Sequence, residues 1–344
     1  MSNLNDKEVA SMAGDPLRIL TGDCREVLKT LPEQSINCCV TSPPYFGLRD
    51  YHVDGQIGLE TTPDEYIADL VKVFRAVHRV LRDDGTLWVV IGDSYANDGK
   101  WGGHTGGKHA KALHDTPVGR NKRHTGLKPK DLIGIPWMMA FALRTDGWWL
   151  RQDIVWSKPA PMPESVLDRC TRAHEYIFMF SKNARYYYDQ EAIKEPGIYT
   201  SAMTMSVRAA RDRIASSAMP VNGTRVQSDK QRGHGRPHVG FNDRWDHMSK
   251  QEQCNGMRNK RSVWQVATHA YPGSHWATFP PDLIKPCILA GCPSGGVVLD
   301  PFAGSGTTAK VALEAGRKAV MIELNPDYIA LIEQRTRTTM GLPY

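Results

Sequence analysis

Apolar and polar positions alternate along the first hundred residues with the periods of strands and helices. Short apolar runs at 17–21, 36–41 and 86–91 have the length of buried strands. Between the last two, Asp64 to Leu81 places apolar residues at i, i+3, i+4 and i+7, which predicts a helix; a shorter helix is predicted to begin after Asp23, its N-cap. Strands alternating with helices predict an α/β fold with a mostly parallel sheet covered on both faces.

The same alternation resumes after residue 130. Earlier in the chain, the residues Asp83 to Gly85 predict a turn. Two segments lack periodicity: we expect 98–130 to be a mobile basic loop and 190–261 to be an insertion at the edge of the domain. We predict further helices at 131–145, 281–290, 307–315 and 326–336, and further strands at 149–156, 175–180, 296–300 and 319–323.

Basic charge is concentrated in two stretches of the chain. The net charge is +6, while residues 98–130 hold eight Lys and Arg against two Asp and Glu, and residues 185–261 hold fourteen against eight. A polyanion held against one face, such as duplex DNA, would suit this distribution. Two solubilising loops would suit it equally well, so charge alone leaves nucleic-acid binding open.

Composition argues against several other classes of protein. No apolar run is long enough to cross a bilayer, and Met1 to Ala10 lacks the apolar core of a signal peptide, so we expect a cytoplasmic protein without a membrane partner. The seven cysteines form no C-x-x-C pair, and the histidines within 104–124 and 234–247 follow no ligand spacing. We therefore expect reduced thiols and no metal.

A Gly-rich turn, D-P-F-A-G-S-G-T-T from Asp300 to Thr308, lies between a predicted strand and a predicted helix. Gly304 and Gly306 would let the backbone approach a ligand, and the N–H groups of the following helix suit an anionic group. Glu323 ends the next strand, where a carboxylate can accept hydrogen bonds from two ribose hydroxyls. The turn therefore predicts a cofactor that contains a nucleoside.

Two cofactors compete for this turn. G-S-G-T-T-A nearly fits the dinucleotide pattern, which would indicate an NAD-dependent dehydrogenase. S-adenosylmethionine makes the same demand on Glu323 without a pyrophosphate, and Asp300 suits its ammonium group better than a phosphate. Because 21 residues follow Glu323, the remaining strands must come from upstream, an order unusual for a dehydrogenase.

A second turn, T-S-P-P-Y from Thr41 to Tyr45, follows the predicted strand 36–41. The exocyclic amine of cytosine or adenine is a weak nucleophile because its lone pair is delocalised into the ring. The Ser42 side-chain oxygen and the Pro43 carbonyl could accept hydrogen bonds from its two N–H groups and so localise that lone pair. Consecutive prolines stiffen the turn, and Tyr45 could stack on a base lifted out of a duplex. An ordinary turn after a strand is the alternative.

In this order, the two turns resemble those of the S-adenosylmethionine-dependent DNA amino-methyltransferases of the permuted β class. Their base-binding turn comes first, their target-recognition segment lies in the middle and their cofactor turn comes last. The resemblance covers roughly Leu17 to Thr336. It implies a circularly permuted methyltransferase fold with residues 1–189 as the base-binding half of the catalytic domain, 190–261 as the inserted target-recognition segment and 262–344 as the cofactor-binding half.

Further motifs carry the same resemblance. T-G-D-C, Thr21 to Cys24, looks like the family segment near the cofactor's adenine, and H-W-A-T-F-P, His275 to Pro280, resembles the segment that closes over its methionine end. The catalytic residues predicted on this basis are Ser42, Pro43, Pro44 and Tyr45. The predicted cofactor-binding residues are Asp23, Cys24, Thr278, Phe279, Asp300, Phe302, Gly304, Gly306, Thr307, Thr308 and Glu323.

The Ser-Pro-Pro form is associated in this family with N4 of cytosine, and the Asp- or Asn-Pro-Pro form with N6 of adenine. We therefore expect a sequence-specific, base-flipping N4-cytosine methyltransferase of double-stranded DNA, with an N6-adenine enzyme as the alternative. A dehydrogenase would leave the Ser-Pro-Pro-Tyr turn without a role, and a non-catalytic DNA-binding protein would leave both turns without one. A homodimer and a cognate restriction enzyme stay open as partners.

Pro286 and Cys287 suggest a different reaction, attack of a cysteine thiolate on C5 of cytosine. That chemistry requires the Pro-Cys pair downstream of the cofactor turn, on a loop after a strand. Here the pair lies upstream, within an apolar helical pattern. We interpret it as part of a core helix.

Overall fold

The computed structural model describes residues 15–48, 50–96, 126–196, 257–268, 279–337 and 339. Its strands in chain order are β1 (Leu17–Thr21), β2 (Ile36–Thr41), β3 (Leu81–Ile91), β4 (Trp149–Ser157), β5 (His174–Ser181), β6 (Glu195–Pro196), β7 (Met257–Arg258), β8 (Val263–Gln265), β9 (Val297–Asp300) and β10 (Lys318–Glu323). Its α-helices are α1 (Cys24–Thr30), α2 (Pro63–Val80), α3 (Ile135–Thr145), α4 (Pro281–Gly291), α5 (Thr307–Glu314) and α6 (Pro326–Arg337). Most of the predicted basic loop and of the predicted insertion, at 97–125 and 197–256, lies outside the described residues.

Eight strands form one sheet in the order β1-β10-β9-β2-β3-β5-β4-β8. Neighbours from β1 to β3 are parallel, β5 runs antiparallel to β3 and β4, and β8 is parallel to β4. Strands from the N-terminal and C-terminal parts of the chain pair in this sheet, β1 with β10 and β2 with β9. In the second pair, Cys38 lies opposite Val298 and Cys39 opposite Leu299. The expected permuted, mostly parallel α/β fold is thereby confirmed.

Both faces of the sheet are covered by helices, as the residues of β3 illustrate. Leu87 and Val89 pack into the core that also contains apolar residues of α2 and α3. Trp88 points to the opposite face, where a Cβ added to Gly291 of α4 would lie 2.6 Å from its Nε1. Because successive side chains of a strand alternate between faces, a strand buried on both sides must be apolar throughout.

Helix α2 begins at a strong start signal. The Thr62 hydroxyl accepts from the Glu65 backbone N–H, the Glu65 carboxylate accepts from the Thr62 backbone N–H, and Pro63 occupies the first turn. This reciprocal capping satisfies donors that a helix terminus otherwise leaves unpaired. The helix therefore begins one residue before the predicted Asp64 and places Tyr66 in its first turn, against the loop that follows β2.

Two local predictions were wrong. The expected turn at Asp83 to Gly85 lies inside β3, because Ile36 pairs with Leu81 whereas Cys38 pairs with Thr86, so the intervening residues bulge from a continuous strand. The helix expected from Asp131 begins at Ile135, because the preceding residues pair with the segment after β3, as in the 2.9 Å bond from Ile133 N to the Ser94 carbonyl. Cys287, in contrast, is fully buried in α4, which confirms the core interpretation.

Contacts divide the chain into two units, one made of 1–192 and 261–344 and the other of 193–260. In the second unit, β6 and β7 pair antiparallel, and the Arg258 guanidinium donates to Glu195 at 3.0 Å.

Within the described ranges, no helix is both long enough and apolar enough to cross a membrane. Nor do three or more His, Cys, Asp or Glu side chains of that part of the chain form a group that could hold a metal ion.

Candidate functional site

The two predicted turns meet at the carboxyl ends of β2 and β9. The Thr41 hydroxyl, at the end of β2, donates to Asp300 Oδ1 at 2.6 Å, and the Thr308 hydroxyl donates to Asp300 Oδ2 at 2.6 Å. The backbone N–H of Phe302 adds a third bond of 3.0 Å. Asp300 is almost completely buried, and this burial raises its pKa to about 6 even though the three hydrogen bonds lower it. One buried carboxyl group thus joins segments that are 259 residues apart.

A cleft of about 1330 Å³ opens beside this junction. Most of the predicted site residues line it: Ser42, Pro43, Pro44 and Tyr45 from the first turn, and Asp23, Cys24, Phe279, Phe302, Gly304, Thr307 and Glu323. Asp300, Gly306 and Thr308 do not line the cleft, and Thr278 lies outside the described residues.

Glu323 lies at the end of β10 with both carboxylate oxygens turned toward backbone donors. Gly304 N donates to Oε2 at 2.7 Å, and Asn325 N donates to Oε1 at 2.8 Å. Burial raises the pKa of Glu323 to about 7, although these backbone bonds lower it. Each carboxylate oxygen has a second lone pair, so the group can still accept from hydroxyls of a ligand in the cleft.

Asp23 has a structural role in addition to the predicted one. Its carboxylate caps α1 through a 2.8 Å bond from Arg25 N and pairs with the Arg25 guanidinium at 2.6 Å. Burial raises the pKa of Asp23, but the bonds from Arg25 outweigh this effect and leave the pKa below its usual value. The neighbouring Cys24 is buried, and burial raises its pKa to about 12, so its thiol is neutral.

Gly306 and Thr308 support the turn from behind. Gly306 has φ +78°, and a Cβ there would lie 2.9 Å from Ile332 Cγ2 of α6, so the glycine permits close packing between α5 and α6. Thr308 is fully buried and bonds to Asp300. The structure therefore accounts for both residues by packing, whereas Gly304 and Thr307 border the cleft itself.

The Ser-Pro-Pro-Tyr turn is held by α2. Tyr66 is fully buried, and its hydroxyl donates to the Pro44 carbonyl at 2.8 Å. Gly58, with φ +103°, passes so close that a Cβ there would lie 3.1 Å from the Tyr45 carbonyl oxygen. The prolines and these two contacts fix the backbone of the turn, so the polar atoms that follow β2 are preorganised.

Several cleft residues were missed by sequence reasoning. Glu175 and Lys158 line the cleft together with Trp156, and the Tyr45 hydroxyl donates to Glu175 Oε2 at 2.7 Å. Burial, followed by the adjacent Glu175 charge, raises the pKa of Tyr45 well above its usual value. Lys158 lies near the end of G-W-W-L-R-Q-D-I-V-W-S-K-P, Gly147 to Pro159. This segment looks like a strand beside the target pocket in the amino-methyltransferases of the permuted β class, and that resemblance is the one signal in the sequence that could indicate Lys158.

Gly92, directly after β3, was also missed. A Cβ at this position would lie 2.6 Å from Tyr45 Cε2 and 3.3 Å from Glu175 Cδ. We expect Gly92→Ala to displace the Tyr45 ring and to lower the turnover number by about 10- to 100-fold, because small misplacements of reacting groups have effects of that order. Steady-state kinetics measures this change.

Gly316→Ala is the matched control. Gly316 has φ +70° and an added Cβ would meet nothing within 4 Å, so this substitution strains the backbone by about 1 kcal/mol without touching the cleft. Its turnover number is expected to match that of the unmodified protein. Full activity of Gly92→Ala would show that the position of Tyr45 is unimportant.

A permuted, mostly parallel sheet with a cleft at the carboxyl ends of β2, β9 and β10 is a methyltransferase-type fold. The sequence model described as DNA methylase, covering N6 and N4 enzymes, matches residues 36–334, and the chain belongs to this family. The methyl donor of the family is S-adenosylmethionine, which is therefore the cofactor of this chain.

Individual relatives agree with the family assignment. The Type II methyltransferase M.SmaI of Serratia marcescens is 44% identical over 319 residues, which are 92% of this chain and 90% of the relative. The Type II methyltransferase M.Cfr9I of Citrobacter freundii is 43% identical over 321 residues, 92% of this chain and 86% of the relative.

Solved structures share the fold. The PvuII DNA methyltransferase (cytosine-N4-specific) has a TM-score of 0.56 at 18% identity and covers 93% of this chain and 88% of its own. A putative DNA modification methylase from Thermus thermophilus, complexed with S-adenosyl-L-methionine, has a TM-score of 0.52 at 24% identity and covers 94% and 93%. At these identities the likeness concerns the fold.

Proposed function

We propose that this chain transfers a methyl group from S-adenosylmethionine to the exocyclic N4 of cytosine in duplex DNA, after the base has been flipped out of the helix. The observation that supports this function is the 2.6 Å hydrogen bond from Thr41 to Asp300. It holds the Ser-Pro-Pro-Tyr turn beside the Gly-rich turn, so that both border one cleft. A base amine and a methyl donor bound by the two turns would therefore be neighbours.

The base-binding residues act by making the amine more nucleophilic. In this mechanism the Ser42 oxygen and the Pro43 carbonyl accept hydrogen bonds from the two N–H groups of the base amine. These bonds localise the lone pair of the nitrogen. Tyr45 offers its ring to the flipped base, and Pro44 keeps the turn stiff. S-adenosylmethionine supplies an electrophilic methyl group, and the transfer depends mainly on proximity and orientation.

The residues of the Gly-rich turn fit a nucleoside cofactor. Glu323 is the predicted acceptor for the ribose hydroxyls, and Gly304 leaves room for the ligand along the backbone. Asp23, Cys24, Phe279, Phe302 and Thr307 are proposed to contribute the remaining walls. Asp300 is proposed to contribute indirectly, by holding the two turns in place, because its carboxylate oxygens already bond to both turns.

The raised pKa of Glu323 predicts a pH-dependent cofactor affinity. Ribose hydroxyls donate to the ionised carboxylate, so affinity should rise as the pH passes through about 7. The effect on the unliganded protein has the opposite sign. When folding raises the pKa of a carboxyl group, that group stabilises the folded protein most at a pH below its pKa in the unfolded state. This contribution to stability is lost as the pH rises through the pKa in the folded state, here about 7. Calorimetric titration with S-adenosylmethionine between about pH 5 and about pH 7.5 measures the binding effect.

Glu323→Gln serves to assign this dependence. Asp300 also has a raised pKa, about 6, so titration of the unmodified protein alone would not separate the two groups. The amide cannot ionise, and we expect weaker binding that is nearly flat over the same pH range. An unchanged pH profile in Glu323→Gln would refute the proposed role of Glu323.

We further propose that residues 190–261 recognise the DNA target. The basic excess within 185–261 and within 98–130 would bind phosphates, which predicts an affinity that falls steeply with salt. Because the relatives named above are Type II methyltransferases, we propose that this chain also belongs to a restriction-modification system with a cognate restriction enzyme.

Nucleoside analysis of methylated DNA tests the proposed function. DNA incubated with the protein and S-adenosylmethionine is digested to nucleosides, and the modified nucleoside is identified by mass spectrometry. We expect the deoxynucleoside of N4-methylcytosine. N6-methyladenine in its place would retain the two-turn mechanism but refute the cytosine assignment, and absence of any methylated base would refute the function.

A further inference from the structure

The loop between β4 and β5 brings an arginine to the side of the cleft where the Ser-Pro-Pro-Tyr turn lies. Arg172 lines the cleft, and its guanidinium donates to the Asp93 carbonyl. Asp93 follows Gly92, where an added Cβ would lie 2.6 Å from Tyr45 Cε2. Farther along the chain, in β5, Glu175 accepts from the Tyr45 hydroxyl at 2.7 Å. Two separate connections therefore place Arg172 beside the turn that is proposed to hold the base.

The Arg172 guanidinium keeps most of its hydrogen-bonding capacity. One of its N–H groups bonds to the Asp93 carbonyl, and no Asp or Glu of the described residues lies within ion-pair distance of it. Lys158 also lines the cleft, but its ammonium is paired with Glu175. Arg172 is therefore a cation of the cleft whose charge no described carboxylate neutralises by pairing.

Two carboxylates in the surroundings of this arginine bond to other groups. Asp93 Oδ1 accepts from the backbone N–H of Ile135 at 3.0 Å, in the first turn of α3. Glu164 Oε2 accepts from the Arg169 guanidinium at 2.7 Å and from the backbone N–H of Arg172 at 3.2 Å. Because neither carboxylate pairs with the Arg172 guanidinium, its remaining donors are available to a ligand in the cleft.

The chemistry of arginine indicates which group of a ligand it would bind. A guanidinium presents parallel N–H groups that match two oxygens of a phosphate, and these charge-assisted bonds are stronger than neutral ones. A flipped nucleotide enters a cleft with its backbone phosphates attached. The carboxylate of S-adenosylmethionine is the other anion of the reaction, but the contacts of Arg172 lead to Tyr45 and not to the Gly-rich turn.

We propose that the Arg172 guanidinium binds a backbone phosphate adjacent to the flipped nucleotide and so holds that nucleotide beside the Ser-Pro-Pro-Tyr turn. This inference rests on the proposed function. It applies to a flipped cytosine or adenine, because both nucleotides carry the same phosphates. Phosphate contacts fix the position of a protein on DNA without reading the bases, so Arg172 should govern affinity and not the choice of base.

DNA that lacks one charge tests this contact directly. Sites methylated by the unmodified protein are mapped by sequencing, and a short duplex that contains one such site is synthesised. In two further duplexes a methylphosphonate replaces the phosphate on the 5′ side or on the 3′ side of the target nucleotide. We expect one of these replacements to weaken binding by about tenfold, as loss of a charge-assisted hydrogen bond does. A methylphosphonate remote from the target should change affinity by less than about twofold.

Arg172→Gln shows whether Arg172 makes the contact. We expect this variant to bind the unmodified duplex about tenfold more weakly, with a salt dependence lower by about one phosphate contact. The sensitive methylphosphonate should then cause no further loss beyond about twofold, because the two changes remove the same interaction. An arginine that only supports the segment around Asp93 would leave the methylphosphonate effect at its full size. That result would overturn the proposal, as would tight binding of both methylphosphonate duplexes by the unmodified protein.

Arg75→Gln is the matched control. Arg75 is paired with Asp146 and is not among the residues that line the cleft, so this variant loses the same charge elsewhere. It should bind the unmodified duplex within about twofold of the unmodified protein and keep the full methylphosphonate effect.

Further measurements cover the remaining outcomes. The affinity of Arg172→Gln for S-adenosylmethionine should stay within about threefold, and a larger loss without the methylphosphonate effect would assign Arg172 to the cofactor carboxylate and refute the proposal. If Arg172→Gln does not fold, Arg172→Lys decides: the ammonium lacks the paired donors, so the methylphosphonate effect should shrink, and an unchanged effect contradicts the contact. Nucleoside analysis of the unmodified protein does not depend on Arg172, so failure of the proposed function is distinguishable from failure of this contact.

Discussion

Ser42→Ala is expected to lower the rate of methylation by on the order of 1000-fold while leaving S-adenosylmethionine binding nearly unchanged. The substitution removes the oxygen that is proposed to accept from the base amine, so the nitrogen lone pair would stay delocalised into the ring. The proposed cofactor residues of β9 and β10 keep their contacts, because the bond from Thr41 to Asp300 does not involve the Ser42 side chain. Single-turnover kinetics and calorimetry measure the two effects separately.

Ser35→Ala is a matched control for this experiment. The Ser35 hydroxyl donates to the Pro32 carbonyl at 2.8 Å in the loop before β2, and Ser35 is not among the residues that line the cleft. Its loss costs about 1 kcal/mol of stability and should leave turnover unchanged. Full activity of Ser42→Ala, with the control behaving as expected, would remove the assigned chemistry.

Asp300→Ala is expected to weaken cofactor binding strongly and to destabilise the protein. The substitution leaves the buried Thr41 hydroxyl and the Phe302 N–H without their acceptor, whereas the Thr308 hydroxyl keeps a 3.4 Å bond to the Val40 carbonyl. With at least about 1 kcal/mol for each of the two unsatisfied groups, the free energy of unfolding should fall by about 2 kcal/mol or more. Loosening of both turns should weaken S-adenosylmethionine binding by at least about 100-fold.

Thr308→Val separates the junction from direct ligand contact. It removes one bond to Asp300 from a residue that does not line the cleft, so any weakening of cofactor binding must act through the turn. We expect an intermediate loss of both affinity and stability, measured by calorimetry and by denaturant unfolding. Unchanged cofactor affinity in Asp300→Ala would refute the role of the junction.

The elements that sequence reasoning predicted well were those with a local cause. Helix α2 has both an apolar stripe and a complete N-terminal capping signal, so its bounds were predicted to within one residue. The errors occurred where distant contacts override local preference. Asp83 to Gly85 has turn chemistry, yet pairing of β3 with β2 and β5 keeps the segment within one strand.

For the site residues too, those in local motifs could be predicted from the sequence, and those defined by distant contacts could not. The Ser-Pro-Pro-Tyr and Gly-rich turns were identifiable because each is a short continuous motif between a strand and another element. Glu175 and Gly92 were not, because neither belongs to a motif. Glu175 becomes recognisable when its carboxylate meets Tyr45, 130 residues away, and Gly92 when a side chain at its position would strike the Tyr45 ring.

The amino-acid sequence by itself determined the alternation of strands and helices, the two turns and the family they indicate, because periodicity and backbone stiffness are properties of neighbouring residues. Tertiary structure alone decided that β2 lies beside β9, that the buried Asp300 carboxyl joins the two turns, and that Tyr45 meets Glu175. These contacts depend on which strands pair and on what is buried between them, and no local pattern of residues encodes that outcome.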